Sequence, residues 1–278
     1  MENEFNKAAW AQQKQAERDT VFATLDSAAS RMGSDPNALR QYLDVQSRFM
    51  KMSANNAILI TAQRPEATQL ASFDTWKEQG AKITAGEKGI AIFEQGAAYT
   101  REDGSEGHYT NVTKVFDVSQ TDAKPAPEEP HPDVQTLIKS LTANSPVRIE
   151  VSDKVPDGRT AVYQPEAKAI FVKEGASGPT LFAELSRALA TQSLCRNGST
   201  PKDNGLAAFA ASYMLCKKNG IDTRGFALDK LSGALGSMDA KGIRAELTKA
   251  RNAAESVNYQ MDKTLHPQQR SEKAAGAR

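Results

Sequence analysis

The side chains able to carry covalent or metal chemistry are few and badly spaced for it. Only three histidines occur, His108, His131 and His266, and the two cysteines, Cys195 and Cys216, stand apart without a CxxC pair. A zinc site needs three or four such ligands gathered at short spacing, and this sequence does not supply them. Glu184 lies in an apolar helical stretch with Ser186 and Ser193 nearby, but a serine nucleophile needs an imidazole to take its proton, and that helix carries none. Neither a GxxxxGK[ST] loop nor a GxGxxG turn is present, so the two common phosphate-cradling motifs are missing as well.

What remains is recognition chemistry. Arg48, Lys51, Arg64, Lys77, Lys82 and Lys88 fall in one stretch together with Trp76, Gly86 and Gly89. An aromatic face stacks on any nucleobase for roughly 1–3 kcal/mol, cations track phosphates, and glycine lets a backbone approach closely. Each feature also has a plainer reading. Trp76 is equally suited to anchoring a short helix on a sheet. Between Arg40 and Gly89 seven basic residues stand against five acidic ones, a balance that a solvated surface also shows.

Composition narrows the classes. The 278 residues exceed the usual single domain of ~100–200 residues, so two domains are expected. A net charge of +1, with 35 basic and 34 acidic residues, excludes both an acidic mimic of DNA and a strongly basic nucleic-acid coat. Any DNA binding must come from a local groove. No stretch approaches the ~18 apolar residues of a membrane span. The start, Met1-Glu2-Asn3-Glu4, lacks a basic and then apolar leader, so the expected compartment is the cytoplasm. Both cysteines sit in apolar helical patterns and are expected to be buried small hydrophobes.

The elements that must position these residues follow from periodicity. Met1 to about Ser30 reads as one helix. Asp35 is a good cap, with Pro36 at the first helical position, for a helix to about Met50. Asn55 to Ala62 is an apolar helix ended by Arg64-Pro65, and a short helix carries Trp76 and Lys77. A Gly86-Glu87-Lys88-Gly89 hairpin leads into the strand Ile90 to Phe93. A polar tip, Arg101 to Gly107, joins Ala97-Ala98-Tyr99 to His108-Tyr109. Four prolines between Asp122 and Pro132 mark an extended tether. Beyond it come a helix (Asp133 to Ala143), a strand (Val147 to Val151) and a hairpin of Ala161–Tyr163 with Ala169–Val172. Helices follow over Gly178 to Leu194 and Asp203 to Asn219, the latter ended by Gly220.

The order Asn56-Ala57-Ile58-Leu59-Ile60-x-Ala62-Gln63-Arg64-Pro65, then Phe73-x-x-Trp76-Lys77, then Gly86-Glu87-Lys88-Gly89-Ile90-x-Ile92-Phe93 resembles a known domain. It is similar to the N-terminal single-stranded-DNA-binding domain of ArdC-like (LtrC-like) antirestriction proteins of conjugative plasmids, transposons and phages. Val115 to Thr121 matches the strand that closes that domain, and the resemblance covers roughly residues 5 to 121. It implies DNA contacts from Arg48, Lys51, Asn55, Arg64, Trp76, Lys77, Gly86, Lys88 and Gly89.

In the same family a zincin-like metallopeptidase domain follows, with a helix reading T-L-x-H-E-x-x-H. Two His hold Zn there and the Glu activates water. The matching positions here are Ala183, Glu184 and Arg187. A later family pattern, A-E-x-x-A-Y-x-x-C-x-x-x-G-I-D, supplies a third ligand, and the stretch Ala208 to Asp222 follows it with Phe209 at the ligand position. The resemblance thus implies a metal site that has lost its ligands. Glu184 is expected either to pair with Arg187 one turn on or to be a polar residue with no role.

These readings combine into an α+β chain of two domains, with helices on an antiparallel sheet first and a degenerate zincin-like domain second. The expected divisions are 1–121, a linker at 122–132, 133–226, a helical extension over 227–265 and a disordered tail from 266. The expected function is non-enzymatic: single-stranded-DNA binding by an antirestriction or anti-defence accessory protein of a mobile element, without cofactor, metal or membrane. The rival is an inhibitor that docks on a host restriction or other defence protein through the surface around Ala183, Arg187 and Phe209. An excess of 16 acidic over 13 basic residues in 1–121 favours that rival.

Overall fold

Short polar caps set where the helices of the first half begin. In this computed structural model, which describes residues 7–101, 103–127, 129–153, 155–195 and 198–267, α1 spans Lys7–Met32 and α2 Pro36–Arg48. The Asp35 carboxylate accepts the Asn37 amide at 2.9 Å, as its place before Pro36 predicts. Ser53 caps α3 (Ala54–Gln63) and Ser72 caps α4 (Phe73–Glu78) in the same way. The expected helical start at Met1, Glu102 of the hairpin tip, Asn197 of the polar loop and the tail from Gln268 lie outside the described residues.

Strands β1 (Leu70–Ser72), β2 (Ile90–Thr100) and β3 (Glu106–Asp117) form an antiparallel sheet in the order β1-β3-β2. The long β2–β3 hairpin runs from Ile90 opposite Val115 to Thr100 opposite Glu106, with an irregularity between Gln95 and Ala98. Its tip lies where the sequence placed it. The Gly86–Gly89 segment, in contrast, is a turn and not a hairpin. The chain before it makes only an isolated bridge, Ile83 to Thr121, and β2 takes β3 as its partner instead.

The outer edge of β2 is closed by side chains of α3. Asn56 donates to the Phe93 carbonyl and accepts the Phe93 amide, both at 2.9 Å. Gln63, two turns later, does the same with Ala91, also at 2.9 Å. Two carboxamides thereby replace a missing strand and satisfy an edge that would otherwise invite pairing with another chain.

In the second half, Asp133 caps α5 (Val134–Ala143). Strands β4 (Arg148–Val151), β5 (Ala161–Gln164) and β6 (Ala169–Val172) then order as β4-β6-β5, with β4 parallel and β5 antiparallel to β6. Helices α6 (Gly178–Leu194), α7 (Gly205–Lys218), α8 (Leu228–Leu235) and α9 (Ala240–Leu265) complete the chain. Gly220 has φ +72°, the left-handed conformation expected after a helix, and a Cβ there would meet the His131 ring at 2.5 Å. The proline-rich connector is thus laid against the end of α7.

One apolar core runs through both halves, from Leu25, Leu43 and Ile58 to Phe182, Tyr213 and Met261. Residues 227–265, expected as an appended extension, are central: α9 packs on α1, α3, α5, α6 and α7. Polar contacts fix the junction. Tyr213 donates to Asp44 Oδ1 at 2.8 Å, Ser232 donates to the Met32 carbonyl at 2.8 Å, and Arg251 donates to the Met50 and Lys51 carbonyls at 3.1 and 2.7 Å. Gly33 and Gly236 bring two backbones so close that a Cβ on Gly236 would lie 2.4 Å from the Gly33 carbonyl oxygen. Cys216 is fully buried and burial pushes its thiol up to about 12, so it packs as an inert apolar side chain, while Cys195 is half-buried.

Candidate functional site

Of the residues first singled out, Trp76 is placed differently from a stacking platform. It is 2% exposed, sits in a small core with Ala81 and Val118, and donates its indole N–H to the Phe116 carbonyl at 2.9 Å. Neither ring face is open to a base. The short amphipathic helix α4 needs one large anchor to stay on the sheet, and Trp76 is that anchor.

Arg64 is likewise engaged. Its guanidinium reaches Glu87 Oε2 and Ser119 Oγ at 3.1 Å each. Glu87 also accepts from Gln120 at 2.7 Å, and Gln120 donates to the Lys88 carbonyl at 2.9 Å. Buried Asp117 then ties Ser119 to the Thr68 and Gln69 amides. The three blocks Gln63-Arg64-Pro65, Gly86 to Gly89 and Asp117 to Gln120 therefore converge on one polar latch at the base of the sheet. Gly86 has φ +88°, and a Cβ on Gly89 would lie 2.9 Å from Lys114 Cβ. Turn geometry and close packing account for both glycines.

The remaining candidates are scattered. Arg48 donates to the Pro65 carbonyl, and Asn55 is half-buried with its Oδ1 unpartnered among the described residues. Lys51, Lys77, Lys82 and Lys88 are exposed. No single groove gathers this set.

The structure offers another aromatic surface that sequence reasoning passed over. On the projecting β2–β3 hairpin, Tyr99 and Tyr109 lie with ring centroids 4.7 Å apart and are 38% and 57% exposed. Gly107 makes the pair possible, because a Cβ there would lie 2.7 Å from the Tyr99 ring. Tyr99 crosses the glycine to reach Tyr109 two residues on. Beside the hairpin a groove of about 500 Å³ runs between it and the start of α1, lined by exposed Trp10 and Lys14 with Arg18, Val112 and the carboxylates Glu17 and Glu94. The signal in the sequence was a glycine and two tyrosines flanking a polar tip, but the diagonal pairing depends on strand register.

The residues around Glu184 do come together. Glu184 on α6 accepts from Arg159 Nε at 2.5 Å, and Arg187, one turn on, lies at 3.8 Å from its other oxygen. The expected Glu184–Arg187 pair is therefore present as a loose contact, and Arg159, which precedes β5, is the closer partner. The Arg187 guanidinium stands 5.3 Å above the Phe209 ring, whose edge meets Phe226 at 5.2 Å. Ser212 donates to the Ala183 carbonyl at 2.6 Å, locking α7 against α6. Ala183 and Phe209 have no donor atom and a guanidinium does not bind a cation, so these side chains do not fit a metal ion. Among the described residues no three His, Cys, Asp or Glu gather where one could be held. Among the described residues no helix is long and apolar enough to cross a membrane.

Comparison with known proteins agrees with this architecture. Residues 11–130 match the family model of the N-terminal domain of the anti-restriction factor ArdC. Two crystal structures of the antirestriction ArdC protein from the R388 plasmid share the fold. The metal-free one has a TM-score of 0.53 at 20% identity over 75% of this chain and 85% of that one. The Mn(II)-bound one has a TM-score of 0.54 at 22% identity over 74% and 84%. No curated protein sequence matches the chain.

Proposed function

We propose that this ArdC-like chain binds single-stranded DNA and serves a mobile element as a non-enzymatic antirestriction or anti-defence accessory. The observation that carries the reading is the exposed Tyr99–Tyr109 pair, in the half of the chain with the ArdC-type sequence. Unstacked bases seek exposed aromatic faces, whereas duplex bases are hidden from them. In the adjoining groove Lys14 is paired with Glu17 and Glu94 is present, so Arg18 is the cation suited to the backbone and Trp10, at the far side, to a further base. The contact surface is thereby moved from Trp76 and Arg64, which hold the fold, to the hairpin.

The engagement of Glu184 supports the reading of a non-catalytic second half. Its carboxylate is held by Arg159 and faced by Arg187, whereas a general base must be free to reach a water or substrate proton.

The test is fluorescence anisotropy of a labelled single strand against a duplex of equal length over a salt series. The single strand is expected to bind preferentially, with affinity falling as salt rises. Tyr99→Ala/Tyr109→Ala should weaken it by about 1–3 kcal/mol per lost base contact, and Lys77→Ala/Lys88→Ala should change it little. No preference for the single strand at low salt, or wild-type affinity in the tyrosine double variant, overturns the reading. The acidic balance of the first half, 16 acidic against 13 basic residues over 1–121, would then favour docking on a host defence protein.

A further inference from the structure

The second half holds a pocket whose chemistry is unlike that of a metal site. About 390 Å³ in volume, it lies between α6, α7 and α8 and is lined by Arg187, Lys202 and Lys230 around an apolar floor of Leu206, Phe209 and Leu231. Three cations from three separate segments face it, and among the described residues no carboxylate lines it. We propose that this pocket binds a small organic anion, a phosphate monoester carried on an apolar body.

The charge balance around Arg187 supports the assignment. Two guanidiniums, those of Arg159 and Arg187, share one carboxylate, and Glu184 gives its short contact to Arg159. Arg187 keeps only the 3.8 Å approach, beyond hydrogen-bond distance. Burial first, and the neighbouring Arg159 second, push its pKa down, so the site is one where positive charge is disfavoured. An anion in the pocket relieves that excess. The Phe209 ring lies 5.3 Å from the Arg187 guanidinium carbon, and a guanidinium can give two parallel hydrogen bonds to phosphate oxygens.

The first turn of α7 forms one wall. Gly205 and Leu206 border the pocket. The preceding Asn204 turns its amide to the Ser199 hydroxyl and Thr200 carbonyl and makes no cap to the helix. Glu246 takes the Ala207 amide from the buried side and offsets the partial positive charge of the helix start, so the cations of the pocket are its side chains. The volume falls within the usual range of small-ligand sites, roughly 300–1,000 Å³. The apolar floor is what would separate an aryl or alkyl phosphate from inorganic phosphate.

Isothermal titration of the full chain with phenyl phosphate and with inorganic phosphate tests this. Phenyl phosphate is expected to bind more tightly, and Lys202→Ala/Lys230→Ala to weaken it about tenfold, the equivalent of roughly 1.4 kcal/mol. Both lysines are exposed, so an unchanged melting temperature should accompany the loss. Arg187→Gln should abolish binding. Absence of phenyl phosphate binding, equal affinity for the two anions, or indifference to the lysine double variant overturns the proposal. Single-strand binding at the hairpin is read separately, and its result does not bear on this one.

Discussion

Asp117 accepts four hydrogen bonds, from the Thr68 and Gln69 amides at 2.7 and 3.0 Å and from the Ser119 amide and hydroxyl at 3.0 and 2.5 Å. Burial pushes its carboxyl up, but the bonds from Ser119, Gln69 and Thr68 together outweigh that and hold it below the usual carboxylate range. A depressed acid stabilises the fold above its unfolded value near ~3.9, and that contribution is lost as pH falls through the lower folded value. Asp117→Asn is therefore expected to cost about 2–3 kcal/mol at pH 7 in urea unfolding. The variant should also show a shallower loss of stability than the wild type as pH is lowered from about 5. Parallel pH profiles would contradict this. At this scale the sequence exposed residue type and spacing, but Asp117, Glu87 and Gln120 drew notice only as parts of a motif. Asp117 and Gln120 meet locally in a capping box, but the contact of Gln120 with Glu87 spans more than thirty residues of chain, and no local pattern reports that one.

Among the elements, α3 shows how a helix can finish a sheet. Its apolar face was legible from the run Ala57 to Ile60, all now buried. Its two carboxamides were not, because Asn56 and Gln63 act on a strand nearly thirty residues or more away. Asn56→Leu/Gln63→Leu should leave two amide and two carbonyl groups of β2 without partners, at about 1–3 kcal/mol for each group that stays buried. Hydrogen exchange at Ala91 and Phe93 should accelerate with it, and unchanged protection at those two amides would refute the clamp. The short helix α4 carries the opposite lesson. A lone tryptophan on six residues fits an anchor and a platform equally well in sequence. Only the position of the Phe116 carbonyl, 2.9 Å from its indole nitrogen, decides between them.

For the molecule as a whole, the connector and the core point in different directions. The proline-rich segment after Asp122 separates two α+β halves in sequence, yet α9 and α7 from one half pack against α1, α2 and α3 of the other. Heating is expected to give a single cooperative transition, and a protease cut within 123–132 should leave the two fragments associated on gel filtration; two resolved transitions or free fragments would contradict this. Sequence alone determined the α+β class, the helix start at Asp35, the hairpin tip and the scarcity of metal ligands. Those follow from local chemistry: capping, turn residues, periodicity and plain counts. Only the tertiary structure decided that Trp76 is interior, that Arg64 is committed to Glu87, and that Tyr99 and Tyr109 stand paired on the surface. It also decided that the C-terminal helix is the centre of the core. Each of these depends on which distant face a side chain meets, and that is set by packing across the chain.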